Sequence, residues 1–318
     1  SMRGIGWLIL PVFSLIGMFF LWNATGKDEK RTVMTEFYPP EDISPPVAGF
    51  IIDNRLDTKD LTAFVPYWGA NGYLKIDEIE KKSLAGLLKS TDYEFIKLKS
   101  LPANHPEYEK TLFNGIFKSG SNVKLSDLKN KLYTSLNLSK TQLTADIKRE
   151  NYFVKGTRTL GCLLPAIGFI IFVAGIFALP ATWYDNRWIG LSILLFALPF
   201  LIFGFLMTKK TKKGTDLYYR LLGFKEFIKS AEQDKLNEFL KQDEQYFDKV
   251  LPYAIVFGVA DVWKDKLKGL EIPPPTWYNG NYHGSNFNSA VFMSSFNNSM
   301  SAMSSTFSSA PSSSGSSG

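Results

Sequence analysis

Two histidines, one cysteine and thirty acidic residues are what this 318-residue chain offers for catalysis or metal binding. His105 and His283 lie far apart, and Cys162 is alone. An intramolecular disulfide and a cysteine-based metal site are therefore excluded, and a His-rich metal site nearly so. A Ser-His-Asp arrangement would need one of those two histidines. Phosphate loops, HExxH and GxSxG are absent, and the acids sit at ordinary surface spacings. The expectation is a chain that is not an enzyme, with no catalytic, cofactor-binding or metal residue and no cofactor. One stretch still invites a site: "VLPYAIVFGVADVW" at 250–263 is almost wholly apolar until Asp261 interrupts it. It reads as a membrane span, a buried helix or a site.

The elements that would hold any such residue are dominated by three uncharged runs, Gly4 to Trp22, Leu160 to Tyr184 and Trp188 to Met207. Each is close to the roughly 20 apolar residues that a bilayer core requires. The "DNR" between the last two reads as a hairpin turn flanked by interfacial Trp183, Tyr184 and Trp188. Lys27, Lys30 and Arg31 follow the first run. Lys148, Arg149, Lys155 and Arg158 precede the second, and Lys209, Lys210, Lys212 and Lys213 follow the third. Only Arg3 and Arg187 lie opposite. Positive charge collects on the cytoplasmic side, so 23–159 and 208–318 are expected in the cytoplasm of a multi-pass inner (cell) membrane protein. Residue 1 then faces out. Spans without ionisable groups argue against a transporter.

The division expected is a transmembrane helix at 1–22, a juxtamembrane linker at 23–44 and a cytoplasmic winged-helix-like α+β domain at 45–159. A transmembrane helical hairpin at 160–207, a cytoplasmic helical domain at 208–277 and a disordered Ser/Asn/Gly-rich tail at 278–318 follow. In "DTKDL", Asp57 and Asp60 bracket a helix start. Leu61, Phe64, Val65 and Trp68 give that helix, read over 58–71, one apolar face. Leu74 and Ile76 alternate in a strand, a second strand spans 93–98, and Pro106 opens a helix with Tyr108, Leu112 and Ile116 in register. Helix, glycine and two strands suggest a winged helix. Its helix carries only Lys59 beside Asp60, too few cations for a DNA reader. The run 250–263 is too short to span and reads as a buried helix with Pro252 near its N-terminus. An interfacial helix is the alternative. The tail is low-complexity, and its serines are not nucleophiles without a base.

The pieces "SPPVAGFIID", "DLTAFVPYWGANGYLKI", "YRLLGFKEFIKSAEQDKL" and "FDKVLPYAIVFGVADVW", with the hairpin and the Gly/Ser-rich tail, cover nearly the whole chain. In them the chain resembles the YciQ-like bacterial predicted membrane proteins, domain of unknown function 2207. The resemblance implies an extracytoplasmic β-rich domain ahead of the first span, which fits the "SM" start as a cut end. It implies no catalytic residue. Where members carry a basic residue before the "GYL" glycine, this chain has Asn71.

The functional expectation is a membrane-anchored protein-interaction or signal-relay module, with the lipid bilayer and an unidentified protein as partners. Nucleic acid is an unfavoured partner, and no small-molecule substrate is evident. A membrane-tethered DNA-binding regulator is the alternative. Trp68, Phe113, Phe117, Tyr253, Phe257 and Trp263 exceed what two small solitary cores need. The two polar regions are expected to pack on each other or to share a docking surface.

Overall fold

The structure is a computed structural model that describes residues 6–82, 89–280 and 288–311. Helix α1 (Ile9–Leu21) runs into a π-helical turn, Trp22–Gly26. Helices α2 (Pro45–Asp53), α3 (Thr58–Thr62) and α4 (Phe64–Ala70) precede strands β1 (Leu74–Lys82) and β2 (Lys89–Lys97). Then come α5 (Glu107–Ile116), β3 (Asn122–Lys124), α6 (Leu125–Leu128), α7 (Tyr133–Arg149) and α8 (Thr157–Phe205). The chain continues through α9 (Lys212–Ser230), α10 (Gln233–Gln242), α11 (Tyr246–Val256), α12 (Ala260–Lys266), β4 (Tyr278–Asn279) and α13 (Ser289–Ser308). It divides into two compact units, 1–32 with 148–216 and 33–147 with 217–318.

In the first unit, the expected three spans are corrected. Among the described residues, two helices are long and apolar enough to cross a membrane, Gly6–Gly26 and the 49-residue Thr157–Phe205. The two apolar runs expected as separate spans fall within α8, which leaves helical geometry at Asn186 (φ −155°, ψ 84°) and doubles back. Small residues let its legs approach. Gly161, Gly168 and Gly175 recur every seven residues on one leg, and Gly190, Ala197 and Gly204 on the other. A Cβ on Gly168 would come within 2.9 Å of Phe200, and one on Gly175 within 2.8 Å of Leu194. One on Gly204 would meet the ring of Pro165 at 2.5 Å. Helix contacts in lipid favour such residues because backbone proximity replaces hydrophobic driving force. Helix α1 packs on α8 through Met18, Leu164 and Met207, and Ser14 donates its hydroxyl to the Phe196 carbonyl at 2.9 Å. Phe13, Phe20, Phe169, Ile170, Phe177 and Phe205 point outward.

The segments flanking these helices are tied together. Asp28 accepts the Lys210 backbone N–H at 2.7 Å and pairs with its ammonium at 3.4 Å. Val154 N–H bonds the Lys209 carbonyl, Lys213 pairs with Glu150 at 2.6 Å, and Arg31 pairs with Asp216.

The second unit is built from both polar regions. The boundary expected between 45–159 and 208–277 is replaced by one unit in which α11 packs on α2, α3 and α4. Leu61, Phe64, Val65 and Trp68 are fully buried, each worth about 1.5–3 kcal/mol for the larger side chains. The Asp57–Asp60 box forms, with Asp57 N–H donating to Asp60 Oδ2 at 2.7 Å. The helix read over 58–71 is two helices, because Pro66 cannot donate to the carbonyl at Thr62 and the chain steps at Ala63. Gly72 then takes φ +69° to end α4. Pro252 lies well inside α11, which starts at Tyr246, and not near its N-terminus. Part of the expected linker is bound here too: Tyr246 donates to the Phe37 carbonyl at 2.8 Å and Tyr253 to that of Ile43 at 2.6 Å.

The winged-helix expectation is overturned by the sheet. It has four strands in the order β3-β2-β1-β4, with β1 antiparallel to β2 and parallel to β4. A strand from beyond α12 lies beside β1, at Ile76 and Asp77, and the would-be recognition helix is buried under α11 and α13. The expected disorder of 278–318 is corrected for 278–279 and 289–308, while 281–287 and 312–318 lie outside the described residues. Tyr278–Asn279 is β4, and α13 buries Phe292, Met293, Phe296, Met303 and Phe307 against α3, α6 and α12. Ser and Asn mask a sparse apolar stripe at helical spacing, and Asn288 caps the helix by accepting from the Ala290 and Val291 N–H groups.

Candidate functional site

Within the second unit, polar side chains gather where α4 meets α5 and α11. Helix α5 opens after Pro106 with Glu107 and Glu109 in its first turn, where the helix dipole favours a carboxylate. Glu109 nevertheless points inward and is 3% exposed. Its Oε1 accepts the Trp68 indole N–H at 2.7 Å. His105 Nδ1 lies 3.1 Å from the same oxygen, within ion-pair range but without straight hydrogen-bond geometry. His105 Nε2 is 3.3 Å from the Tyr73 hydroxyl, and the Lys99 ammonium sits 4.5 Å over the Tyr73 ring. Burial raises the Glu109 pKa, against the Trp68 hydrogen bond and the His105 charge. This arrangement can hold a proton, and its Trp68–Glu109 bond ties α4 to α5.

Beside it is a cavity of about 140 Å³, lined by Pro39, Tyr67, Asn71, Gln245, Asp248 and Tyr253 among others. Asp248 comes from the first turn of α11, and its Oδ1 accepts the Trp277 indole N–H at 3.0 Å. Burial pushes its carboxyl up to about 6, partly offset by that hydrogen bond. Burial likewise raises Tyr67 to about 12 and Tyr253 well above its ordinary value. Trp277 fits because Gly69 lacks a Cβ, which would come within 2.6 Å of the indole.

A larger groove of about 560 Å³ runs between α13 and the α11–α12 junction. Ile255 and Met300 are buried at its floor. Lys59, Asp261, Asn297 and the hydroxyls of Ser301, Ser304, Ser305 and Ser308 line it. Asn297 donates its amide to Asp261 at 3.0 Å. Those four serines share one face, at intervals of three and four residues.

His105 joins Glu109, Cys162 is exposed on α8, and His283 lies outside the described residues. Asp261, which interrupts the apolar run, lines the groove. Glu109 and Asp248 were not singled out, since a lone acid beside aromatic residues carries no spacing pattern. The serine face of α13 was missed, because the tail was read as low-complexity and disordered; the 3–4 spacing of Ser301, Ser304, Ser305 and Ser308 is the signal that could have found it.

Residues 34–267 match the family described as predicted membrane protein (DUF2207) C-terminal domain. The chain belongs to this family, as the resemblance implied. Neither a curated protein nor a solved structure matches it.

Proposed function

We propose that this member of a family of predicted membrane proteins is a membrane-anchored protein-interaction module, not an enzyme. Its second unit would face the cytoplasm from the inner (cell) membrane. The Lys and Arg excess at 27–31, 148–158 and 209–213 supports that orientation. The observation that carries the interaction reading is the groove beside α13. Its apolar floor at Ile255 and Met300 can take a side chain, and its serine, Asn297, Asp261 and Lys59 groups can meet a peptide backbone and its charges. The partner is an unidentified protein. Nucleic acid is not a proposed partner, because α3 and α4 bury most of their side chains and carry Lys59 as their one cation.

The test is photo-crosslinking in native membranes from benzoylphenylalanine placed at Ser305. A discrete protein adduct that disappears with Lys59→Glu is expected. Adducts only to lipid, or an unchanged pattern in the Lys59 variant, would overturn the reading.

A further inference from the structure

We infer that the cavity bounded by Tyr67, Tyr253 and Asp248 binds a small organic ammonium ion. This inference is independent of the groove beside α13. At about 140 Å³, the cavity suits an amine of a few heavy atoms.

The chemistry of the lining is one-sided. Asp248 supplies an anion, and Trp277 engages its Oδ1. Lys249 is the one cation of the lining, and Asp243 holds it at 2.8 Å. Asp248 is half-buried, its bond is to Trp277, and among the described residues no cation pairs with it. A partly desolvated carboxylate favours a cationic partner. The remaining lining includes the aromatic residues Tyr67 and Tyr253, with Pro39 and Ala70. Aromatic faces attract cations, most strongly where water is excluded. Asn71 spends its amide N–H on the Tyr67 carbonyl at 2.8 Å, leaving its oxygen as an acceptor for a second ammonium N–H, and Gln245 adds another amide.

The competing ligand classes fail on the same features. An anion meets Asp248, a neutral apolar molecule leaves it unpaired, and a divalent metal finds a single carboxylate. The site is also firmly held. Trp277 lies against Gly69 and edge-on to Phe296 at 5.6 Å, and Tyr253 is fixed by its bond to Ile43. The ammonium could belong to a free amine or to an ethanolamine lipid headgroup, and the experiment separates these sources.

The full chain in maltoside micelles is dialysed to equilibrium against radiolabelled ethanolamine. One saturable site per chain is expected, with a Kd of about 1 mM or tighter. Methylammonium should compete, and ethylene glycol and acetate should not. Asp248→Asn keeps an acceptor for Trp277 and should weaken binding about tenfold or more. Tyr67→Leu should also weaken it, while Lys249→Gln should leave it equal or tighter. Repeating the dialysis in phosphatidylglycerol nanodiscs with and without phosphatidylethanolamine assigns the source. Displacement of label in the mixed discs identifies the headgroup, and equal binding in both identifies a free amine. No saturable binding, equal binding by the Asp248 variant, or competition by ethylene glycol would overturn the inference.

Discussion

Trp68 and Glu109 meet through a 2.7 Å hydrogen bond from indole to carboxylate in a core where Trp68 is wholly buried and Glu109 is 3% exposed. The bond joins α4 to α5. Glu109→Gln keeps an acceptor for the indole, whereas Glu109→Ala strands it, at a cost of about 1–3 kcal/mol for the unsatisfied N–H. The alanine variant should lower the thermal midpoint of the full chain in detergent clearly more than the glutamine variant does. Equal midpoints would remove the bond from the anchoring role.

Asp60 gives the pH dependence a sign. Burial raises its carboxyl to about 7 from the ordinary value of 3.8. The folded state therefore binds more protons than the unfolded chain between those values, so stability falls as pH rises from about 4 to about 7. Below about 4 this contribution is fully present. Asp60→Asn retains an acceptor for the Asp57 N–H and should stabilise the protein at pH 8 relative to wild type, with little gain at pH 4. Chemical denaturation at the two values tests this, and a gain of the same size at both would contradict it.

The glycine and alanine rows of α8 set a steric limit. A side chain at Gly175 meets Leu194, including its backbone nitrogen at 3.0 Å. Gly175→Leu should destabilise the detergent-solubilised protein by about 1–3 kcal/mol, the usual cost of overpacking. Phe177→Leu, at an outward position, should be close to neutral. The order of the two melting temperatures decides the point.

Helix α13 should be needed for the second unit. Phe296 is fully buried and packs edge-on to Trp277 and Tyr278. Phe296→Ala should cost about 3–5 kcal/mol. Removing 280–318 should abolish protease resistance of 33–147 as well as of 217–279. Survival of a protected 33–147 fragment would show that the tail is dispensable.

Orientation is open to direct labelling. With Cys162 replaced by alanine, single cysteines at Asn114 and Asn237 should resist a membrane-impermeant thiol reagent in intact cells, and one at Asn186 should react. Labelling of the first two would reverse the proposed sidedness.

Much of the core was legible because its residues follow a period. Leu61, Phe64, Val65 and Trp68 repeat at helical spacing, and Leu74 and Ile76 alternate; all are buried. The burial of 250–257 was legible from its length, but the single helix read over 250–263 is corrected: α11 ends at Val256, Gly258 takes φ +69° and α12 begins at Ala260. What failed was long-range or locally ambiguous. Composition showed the polar content of α13 but not that Phe292, Phe296, Met303 and Phe307 share one stripe. Nothing near Ile76 announces that Tyr278 will pair with it. The uncharged runs 160–184 and 188–207 are plain in the sequence, yet only the backbone at Asn186 shows how one helix holds both. For the site, Asp248 was invisible because its partner, Trp277, lies 29 residues downstream.

The second unit is interrupted in sequence by 148–216, and this fixes an order of events on the ribosome. When residue 147 has been synthesised, the apolar faces of α2 and α4 lack α11, and β1 lacks β4. At about 5–20 residues per second, the missing parts arrive on the order of ten seconds later, after the most apolar segment of the chain has emerged. For that interval the nascent chain carries an open core and an unpaired strand edge together. A ribosome stalled between 216 and 288 is expected to leave a product whose second unit lacks α13 and cannot close.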